Sequence, residues 1–151
     1  MNQQWLLYDA VTDWCNRNDW YYEVLEEGEA IRCGFNGDNA RFILLISVHG
    51  ERVMVRSVAP INVPSNKRPV IAELLTRANY GLAIGNFEMD FRDGEVSFKT
   101  STTTGSEPMP DWLIQDLIFI NCLMMDKYFP AIMQTIYSEV DPVTALAAVE
   151  S

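Results

Sequence analysis

The chain has 151 residues and a formal net charge of −10, and a chain of this length suits one domain that buries about 70% of its unfolded surface. Acidic proteins are poor general binders of nucleic acid, because that binding needs cations to neutralise phosphates. The three cysteines, Cys15, Cys33 and Cys122, form no C-x-x-C pair, so we expect a reduced, cytoplasmic setting with no disulfide framework, zinc site or other cofactor.

A helix is the first predicted element and covers residues 3–18, because its apolar positions recur with helical spacing. This N-terminal stretch lacks the basic start and unbroken apolar run of a signal peptide. Extended segments are predicted at 21–26 and 29–35, on either side of a Glu27-Gly28 turn. The chain is therefore expected to open with a helix and a pair of strands.

Two further strands are predicted at residues 41–48 and 52–59. A two-residue turn at 50–51 joins them and places Val48 opposite Val53. Apolar residues also line the other face of this pair: Ile43, Leu45, Met54 and Val58. Strands that are apolar on both sides are usually covered on both faces, so the second face is expected to meet a helix or another subunit.

The basic residues of the chain are concentrated in its middle, where residues 30–70 hold six bases and two acids. Most of these bases alternate with apolar strand residues or lie near turns. This pattern is typical of a solvated strand face rather than of a nucleic-acid site.

The segment NYGLAIGNFEMDFRDGEVSFKT, residues 79–100, follows a helix predicted at about 67–79 and describes a β-hairpin. Its D-G dipeptide at 93–94 favours a two-residue type I′ turn, which would set Met89 opposite Phe98. The alternation then gives the hairpin one apolar and one polar face. Such a hairpin is typical of a scaffold.

The last predicted helix runs from Trp112 towards Ser138, with Asp111 as its cap and Pro130 as a kink or interruption. Polar residues keep it short of a membrane span. It carries more apolar residues than one core-facing stripe needs, so one line can pack on the sheet and the second needs its own cover. The candidate interface combines this second line with two residues of the doubly apolar strands: Ile114, Ile118, Met125, Phe129, Ile132, Leu45 and Met54.

Together these elements predict an α+β fold, an antiparallel sheet flanked by helices in the order α-β-β-β-α-β-β-α. Residues 1–139 are predicted to form a single domain. Residues 140–151 are predicted to be a flexible C-terminal tail, because the segment is rich in small residues and lies at the end of the chain.

The sequence contains no recognisable catalytic or metal-binding constellation. His49, the only histidine, has no acid beside it other than Glu51, and a general base needs an orienting partner. The acidic run EVLEEGE, residues 23–29, lacks the fixed spacing of a cation-binding loop and is typical of a solvated rim. No catalytic, metal-binding or cofactor-binding residues are predicted, and an enzyme that uses His49 or the acidic run is the third functional hypothesis.

Two stretches carry a family resemblance: FILLISVHGERVMVRSVAPINVP and LLTRANYGLAIGNFEMDFRDGEVSFKTSTTT. Their most specific part is N-Y-G-L-x-x-G-N-F-E-M-D-x-x-D-G-E-V. Over roughly residues 5–137 the chain resembles the YbjN-domain family. The resemblance implies a bacterial sensory-transduction regulator with the fold of the type III secretion chaperones, which commonly dimerise. It brings no catalytic residues.

The first functional hypothesis is a non-enzymatic interaction domain, chaperone-like or regulatory, that binds a protein or peptide client as a homodimer, with no nucleic-acid or membrane partner. In the chaperones that the family resembles, apolar grooves on the sheet and first helix hold extended client segments. The alternative is a small-molecule sensor domain in bacterial signalling, with its pocket between the first helix and the sheet. The candidate client-binding residues are aromatic side chains at the N-terminal end: Trp5, Tyr8, Trp20 and Tyr22.

Overall fold

The fold, seen in a computed structural model that describes residues 2–151, is a six-stranded antiparallel sheet with helices on one face. The strands lie in the order β1-β2-β3-β4-β6-β5. The predicted α+β class is confirmed. The extended segment predicted at 21–26 forms a short first strand, which the order with three leading strands omits, and the described residues add a last helix. In chain order the elements are α1 (Gln3–Arg17), β1 (Glu23–Glu26), β2 (Ala30–Asn36), β3 (Arg41–His49), β4 (Arg52–Asn62), α2 (Arg68–Tyr80), β5 (Asn86–Met89), β6 (Glu95–Thr103), α3 (Asp111–Tyr137) and α4 (Pro142–Glu150).

Two apolar clusters form the core between the helices and the sheet. The first lies under α1 and the N-terminal half of α3, and it includes Leu7, Trp14, Ile46, Val55 and Ile118. The second lies under the C-terminal half of α3 together with α2 and α4, and it includes Phe42, Ile71, Phe98, Met125 and Ile132. Helix α3 therefore joins both halves of the core.

The β3–β4 pair has the predicted register, with Val48 opposite Val53 and Ile46 opposite Val55. Gly50 supplies the positive φ of 60° that the tight turn needs. Because the register is fixed, alternate residues of these two central strands point to opposite faces of the sheet.

The β5–β6 hairpin is paired two residues away from the predicted register, with Phe87 rather than Met89 opposite Phe98. A shift of two residues preserves the faces, so the apolar residues of both strands still point into the core. Phe91, which the predicted register paired within the hairpin, is exposed in the turn.

Contacts with the segment after β4 set this longer turn. Gly94 has a φ of 80° and lies so close to the Val63 backbone that a Cβ would collide with it. The Val63 N–H donates to the Gly94 carbonyl at 2.9 Å, and the Asn62 Nδ2 donates to the Asp93 carbonyl at 3.1 Å. The turn is therefore shaped by a tertiary neighbour as well as by its own dipeptide.

Five of the predicted interface residues are buried inside the domain, so the α3 part of that prediction is wrong. Helix α3 has 27 residues and crosses the sheet. The line that faces the sheet is the one that was expected to face a partner, and α1, α2 and α4 flank the helix on the same side. The buried residues are Ile114, Ile118, Met125, Phe129 and Ile132.

Helix α3 also continues through Pro130 rather than breaking there. Proline has no N–H to donate to the carbonyl of Asp126, four residues earlier. That carbonyl instead accepts a hydrogen bond from the Asn39 side-chain amide at 3.0 Å. The β2–β3 turn thus satisfies the group that the proline leaves free.

The segment predicted as a flexible tail forms helix α4. The Asp141 side chain caps it by accepting from the Thr144 N–H at 3.0 Å, and Pro142 occupies the first turn, where proline fits. Ala145 and Leu146 are buried against α2 and α3. The small residues that suggested fraying allow this close packing.

Candidate interaction surface

No helix in the described part of the chain covers the second face of the sheet, the one opposite α1, α2, α3 and α4. On β3 and β4 the residues that alternate with the core residues point to this open face, which carries Ile43, Leu45, Met54, Arg56 and Val58. Ile43 is 47% exposed, and the other three apolar residues are half-buried. Solvated faces of antiparallel sheets normally carry polar residues at these positions, so an apolar band on the two central strands requires an explanation.

A hollow of about 280 Å³ adjoins this band. A bulge in β1 between Val24 and Glu26 interrupts the pairing with β2, and Leu25 reaches the edge of the hollow. Leu45 and Met54, the two strand residues of the predicted interface, also line it. The structure therefore leaves these two residues accessible while it buries their predicted partners on α3.

Charged side chains surround the apolar band. Cross-strand pairing places Arg32, Leu45, Arg56 and Lys99 in one row across the sheet. Ion pairs connect this row to its surroundings: Arg32 with Glu23 at 2.9 Å, Arg56 with Glu95 at 3.6 Å, and Lys99 with Glu88.

The ion pair between Glu88 and Lys99 holds the Glu88 carboxylate in its charged form. Partial burial opposes ionisation of Glu88, but hydrogen bonds from Lys99 and Asn86 outweigh that effect and lower its pKa. With Arg41 and Arg52 added, the open face carries both signs of charge and more bases than acids, although the chain as a whole is acidic.

The aromatic residues predicted to bind a client do not form one surface. Tyr8 is buried, and Trp5 packs edge-on against it with ring centres 5.7 Å apart while covering Gly28. Trp20 and Tyr22 are half-buried. Trp5 and Trp20 lie near opposite ends of α1. The four residues therefore do not form a single contiguous site.

A stripe of exposed apolar residues lies along the outer side of α3. Trp112, Phe119 and Leu123 are 64%, 41% and 63% exposed, and their spacing of seven and four residues puts them on one helix face. Phe119 also contacts Trp14 and Trp20, with ring centres 6.0 and 6.2 Å away. This stripe gives the helix side of the molecule an apolar surface of its own.

A cleft of about 300 Å³ adjoins the end of this stripe. It opens between the segment after α1, the β2–β3 turn and α3. Burial raises the pKa of the Cys122 thiol in this cleft to about 12, so the thiol is neutral. Of its lining residues, only Trp20 was predicted from the sequence to bind a ligand or client; the others include Phe35, Asp38, Cys122, Leu123 and Asp126.

The helix α3 also carries a buried polar residue that sequence analysis treated only as a break in an apolar run. The Asn121 side-chain amide donates to the carbonyls of Val55 and Phe98 at 2.8 and 3.0 Å, and to the Thr100 hydroxyl at 3.2 Å. Its burial could have been predicted from its position, because it lies four residues from both Leu117 and Met125 and therefore on the same helix face as these core residues.

Within residues 2–151 no three His, Cys, Asp or Glu side chains lie close enough to hold a metal ion. His49 lies at the exposed end of β3 opposite Arg52. Cys15 and Cys33 are buried together, and the hydrogen bond with Cys15 and burial raise the pKa of Cys33. No helix in the described part of the chain is both long and apolar enough to cross a membrane.

Comparison with known proteins identifies a family and a solved structure of similar fold. The YbjN family model, described as "Putative bacterial sensory transduction regulator", matches residues 7–133. The chain is similar in structure to "Crystal structure of YbjN, a putative transcription regulator from E. coli", with a TM-score of 0.58 and 13% identity over 78% of this chain and 90% of that one. At this identity the likeness shows the fold alone. No curated protein matches the chain.

Proposed function

We propose that this chain, which belongs to the YbjN family, is a non-enzymatic regulatory domain that forms a homodimer through the open face of its sheet and binds a protein client on its helix side. The family description as a sensory-transduction regulator supports the regulatory part. The observation that carries the proposal is the apolar band of Ile43, Leu45, Met54 and Val58 on a face that no helix covers.

The size of the open face suits a second copy of the chain. Central strands of nine residues or more and a width of six strands give an area of about 700 Å², from the ordinary rise and spacing of β-strands. Standard protein interfaces bury about 800 Å² on each partner. A short peptide would leave much of this face wet, whereas another sheet would cover it.

The charges on the open face are also compatible with self-association. A two-fold axis brings the same surface of both copies together, so a face that pairs with itself needs both signs of charge. The open face has them in Arg32, Arg56 and Lys99 and in Glu23 and Glu88. The client part of the proposal is supported by the exposed stripe on α3, which faces away from this surface.

The test is molar mass by light scattering coupled to size-exclusion chromatography over a concentration series. We expect a dimer for the unaltered chain and a monomer for Leu45→Asp and Met54→Asp, with unchanged circular dichroism. Leu6→Asp is the control, because it places the same carboxylate at an exposed leucine of α1, away from the sheet. A monomeric unaltered chain, or dimers that persist in both sheet variants, would contradict the proposed interface.

A second candidate function, small-molecule sensing, is favoured by the cleft beside Trp20. The pocket predicted between the first helix and the sheet is not there, because packed core side chains fill that space. The cleft volume of about 300 Å³ is at the lower end of the range for small-molecule sites. A ligand that binds only the folded state raises the melting temperature. A metabolite panel that leaves the melting temperature unchanged would remove this candidate and leave the dimer proposal intact.

A further inference from the structure

We infer that the cleft beside Trp20 is a binding site for an organic cation, an ammonium or guanidinium group on an apolar body. The inference deepens the sensor candidate and the client proposal, because either could supply such a group. It rests on the aromatic and apolar lining of the cleft, on two carboxylates at its rim, and on the way α3 holds that rim in place.

Aromatic and apolar side chains form the inner surface of the cleft. Trp20 and Phe35 contribute rings, and each is itself packed: Trp20 against Trp14 at 5.8 Å, and Phe35 stacked on Phe42 at 5.0 Å. Leu123 supplies an aliphatic wall. Aromatic faces attract ammonium and guanidinium groups through their quadrupole, and fixed rings make such a surface pre-organised.

Two carboxylates, Asp38 and Asp126, lie at the rim. The Asp126 carboxylate accepts hydrogen bonds from the backbone N–H groups of Asp38 and Asn39, both at 2.9 Å. These donors are neutral, so they orient the carboxylate without compensating its charge. No ion pair among residues 2–151 includes Asp38 or Asp126.

Neither neighbouring cation forms an ion pair with the two rim carboxylates, although Arg41 contacts Asn36, which lines the cleft. The Arg41 guanidinium donates to the Asn36 side chain at 3.0 Å, and the Lys127 ammonium lies 5.6 Å from the centre of the Tyr128 ring. The Cys122 thiol is neutral, because burial raises its pKa. The cleft is therefore a negative site with aromatic walls, in a chain that is negative overall, and this combination favours a cationic ligand.

The rim is held by α3 rather than by the turn alone. Gly37 lacks the Cβ that would collide with the Asp126 carboxylate, and the Asn39 side-chain amide donates to the carbonyl that Pro130 leaves free. Both features bring the β2–β3 turn close against the helix. These contacts with Asp126 hold Asp38 in place at the cleft.

The test uses choline and its uncharged isostere, 3,3-dimethylbutan-1-ol, with the full chain. The readout is the indole N–H signals of the four tryptophans in a ¹⁵N correlation spectrum, with the Trp20 signal assigned from Trp20→Phe. We expect choline to shift the Trp20 signal with a roughly millimolar dissociation constant, and the isostere to shift it far less. A second pair, N-acetylarginine amide and N-acetylcitrulline amide, separates a protein side chain from a free amine as the source of the cation.

Asp38→Asn is expected to weaken choline binding about three- to tenfold, because it removes one rim charge. Asp13→Asn, an exposed carboxylate on α1, is the control and is expected to change nothing. Equal shifts from choline and its isostere, an unmoved Trp20 signal with both cations in the millimolar range, or an unaffected Asp38→Asn variant would each overturn the inference. None of these results depends on the dimer, which light scattering reads separately.

Discussion

At the residue scale, Asn121 is the residue on which the contact between α3 and the sheet most depends. It is fully buried, and its amide donates to carbonyls on both β4 and β6. The Thr100 hydroxyl, which accepts from the same amide, donates to the Leu117 carbonyl at 2.7 Å. This network connects two strands and a helix, and a buried polar group that loses its partner costs more than an exposed one.

We therefore predict that Asn121→Ala lowers the free energy of unfolding by about 2–4 kcal/mol, because it removes the hydrogen bonds from the buried amide to Val55, Phe98 and Thr100 and opens a small cavity. Urea denaturation followed by circular dichroism measures the loss. Asn16→Ala on the exposed side of α1 is the control and is expected to change stability by less than about 0.5 kcal/mol. A loss for Asn121→Ala as small as the control would mean that the Asn121 hydrogen bonds contribute little to holding α3 on the sheet.

Tyr128 gives a prediction about pH. Burial and the hydrogen bond from its hydroxyl to Glu150 raise the pKa of Tyr128 to about 12. A raised pKa means that the folded state favours the protonated phenol, so this contribution to stability is complete below about pH 10, the pKa of an unfolded tyrosine. It is lost as the pH rises from about 10 to 12. Spectrophotometric titration is expected to show one tyrosine that ionises at higher pH than an unfolded tyrosine, and Tyr128→Phe is expected to remove that step. An unchanged titration curve in the variant would contradict the assignment.

At the scale of elements, α4 is the helix that the amino-acid composition of its segment did not predict. Its sequence DPVTALAAVES reads as a fraying end because small residues bury little surface one by one. Packed against α2 and α3, the same residues allow a close approach, and Leu146 fills the space between the helices. A helix of nine residues is marginal in isolation, so its stability comes from contacts that are distant in sequence.

Leu146→Ala is accordingly expected to destabilise the protein by about 2–4 kcal/mol, the range for a buried leucine. Val143→Ala, at an exposed position of the same helix, controls for helix propensity and is expected to cost less than about 1 kcal/mol. Chemical denaturation gives both values. Similar small losses in the two variants would mean that α4 is only loosely attached in solution, as the sequence suggested.

The pairing of two strands could be predicted from the sequence where the residues of the turn alone set it. It could not be predicted where the turn also packs on a third segment of the chain. The β3–β4 register follows from alternation and a two-residue turn, and the hydrogen bond from the Gly50 N–H to the Gln4 side chain at 3.1 Å leaves that pairing unchanged. The β5–β6 turn instead packs on residues 62–63, which shifted the pairing by two residues. The same limit applies to α3, because two apolar lines on one helix do not reveal which of them faces the sheet.

Parts of the candidate surfaces were likewise visible in the sequence. Leu45 and Met54 were predicted from strand alternation and do lie on the open face. The cleft beside Trp20 could not be predicted, because it joins the end of α1, the β2–β3 turn and α3 through Asp126. The sequence does show that Pro130 leaves the carbonyl of Asp126 without its helical donor. It does not show that the Asn39 side chain, 87 residues away, supplies the replacement.

At the scale of the whole molecule, the two signs of charge are unevenly distributed over the surface. The chain has a net charge of −10, yet five of its bases lie on the open face of the sheet: Arg32, Arg41, Arg52, Arg56 and Lys99. Acids dominate the remaining surface. Two copies that approach through their open faces therefore bring their least acidic sides together, while their overall charges still repel.

This balance predicts how the proposed dimer responds to salt. Added salt screens the long-range repulsion between two chains of charge −10, and it leaves the burial of the apolar band unaffected or slightly favoured. We expect the dissociation constant, measured by sedimentation equilibrium, to fall as sodium chloride is raised from low to physiological concentration. Arg52→Glu, which makes the open face more acidic, is expected to weaken the dimer most at low salt. A dimer that weakens with added salt would instead place attractive ion pairs, rather than the apolar band, at the centre of the interface.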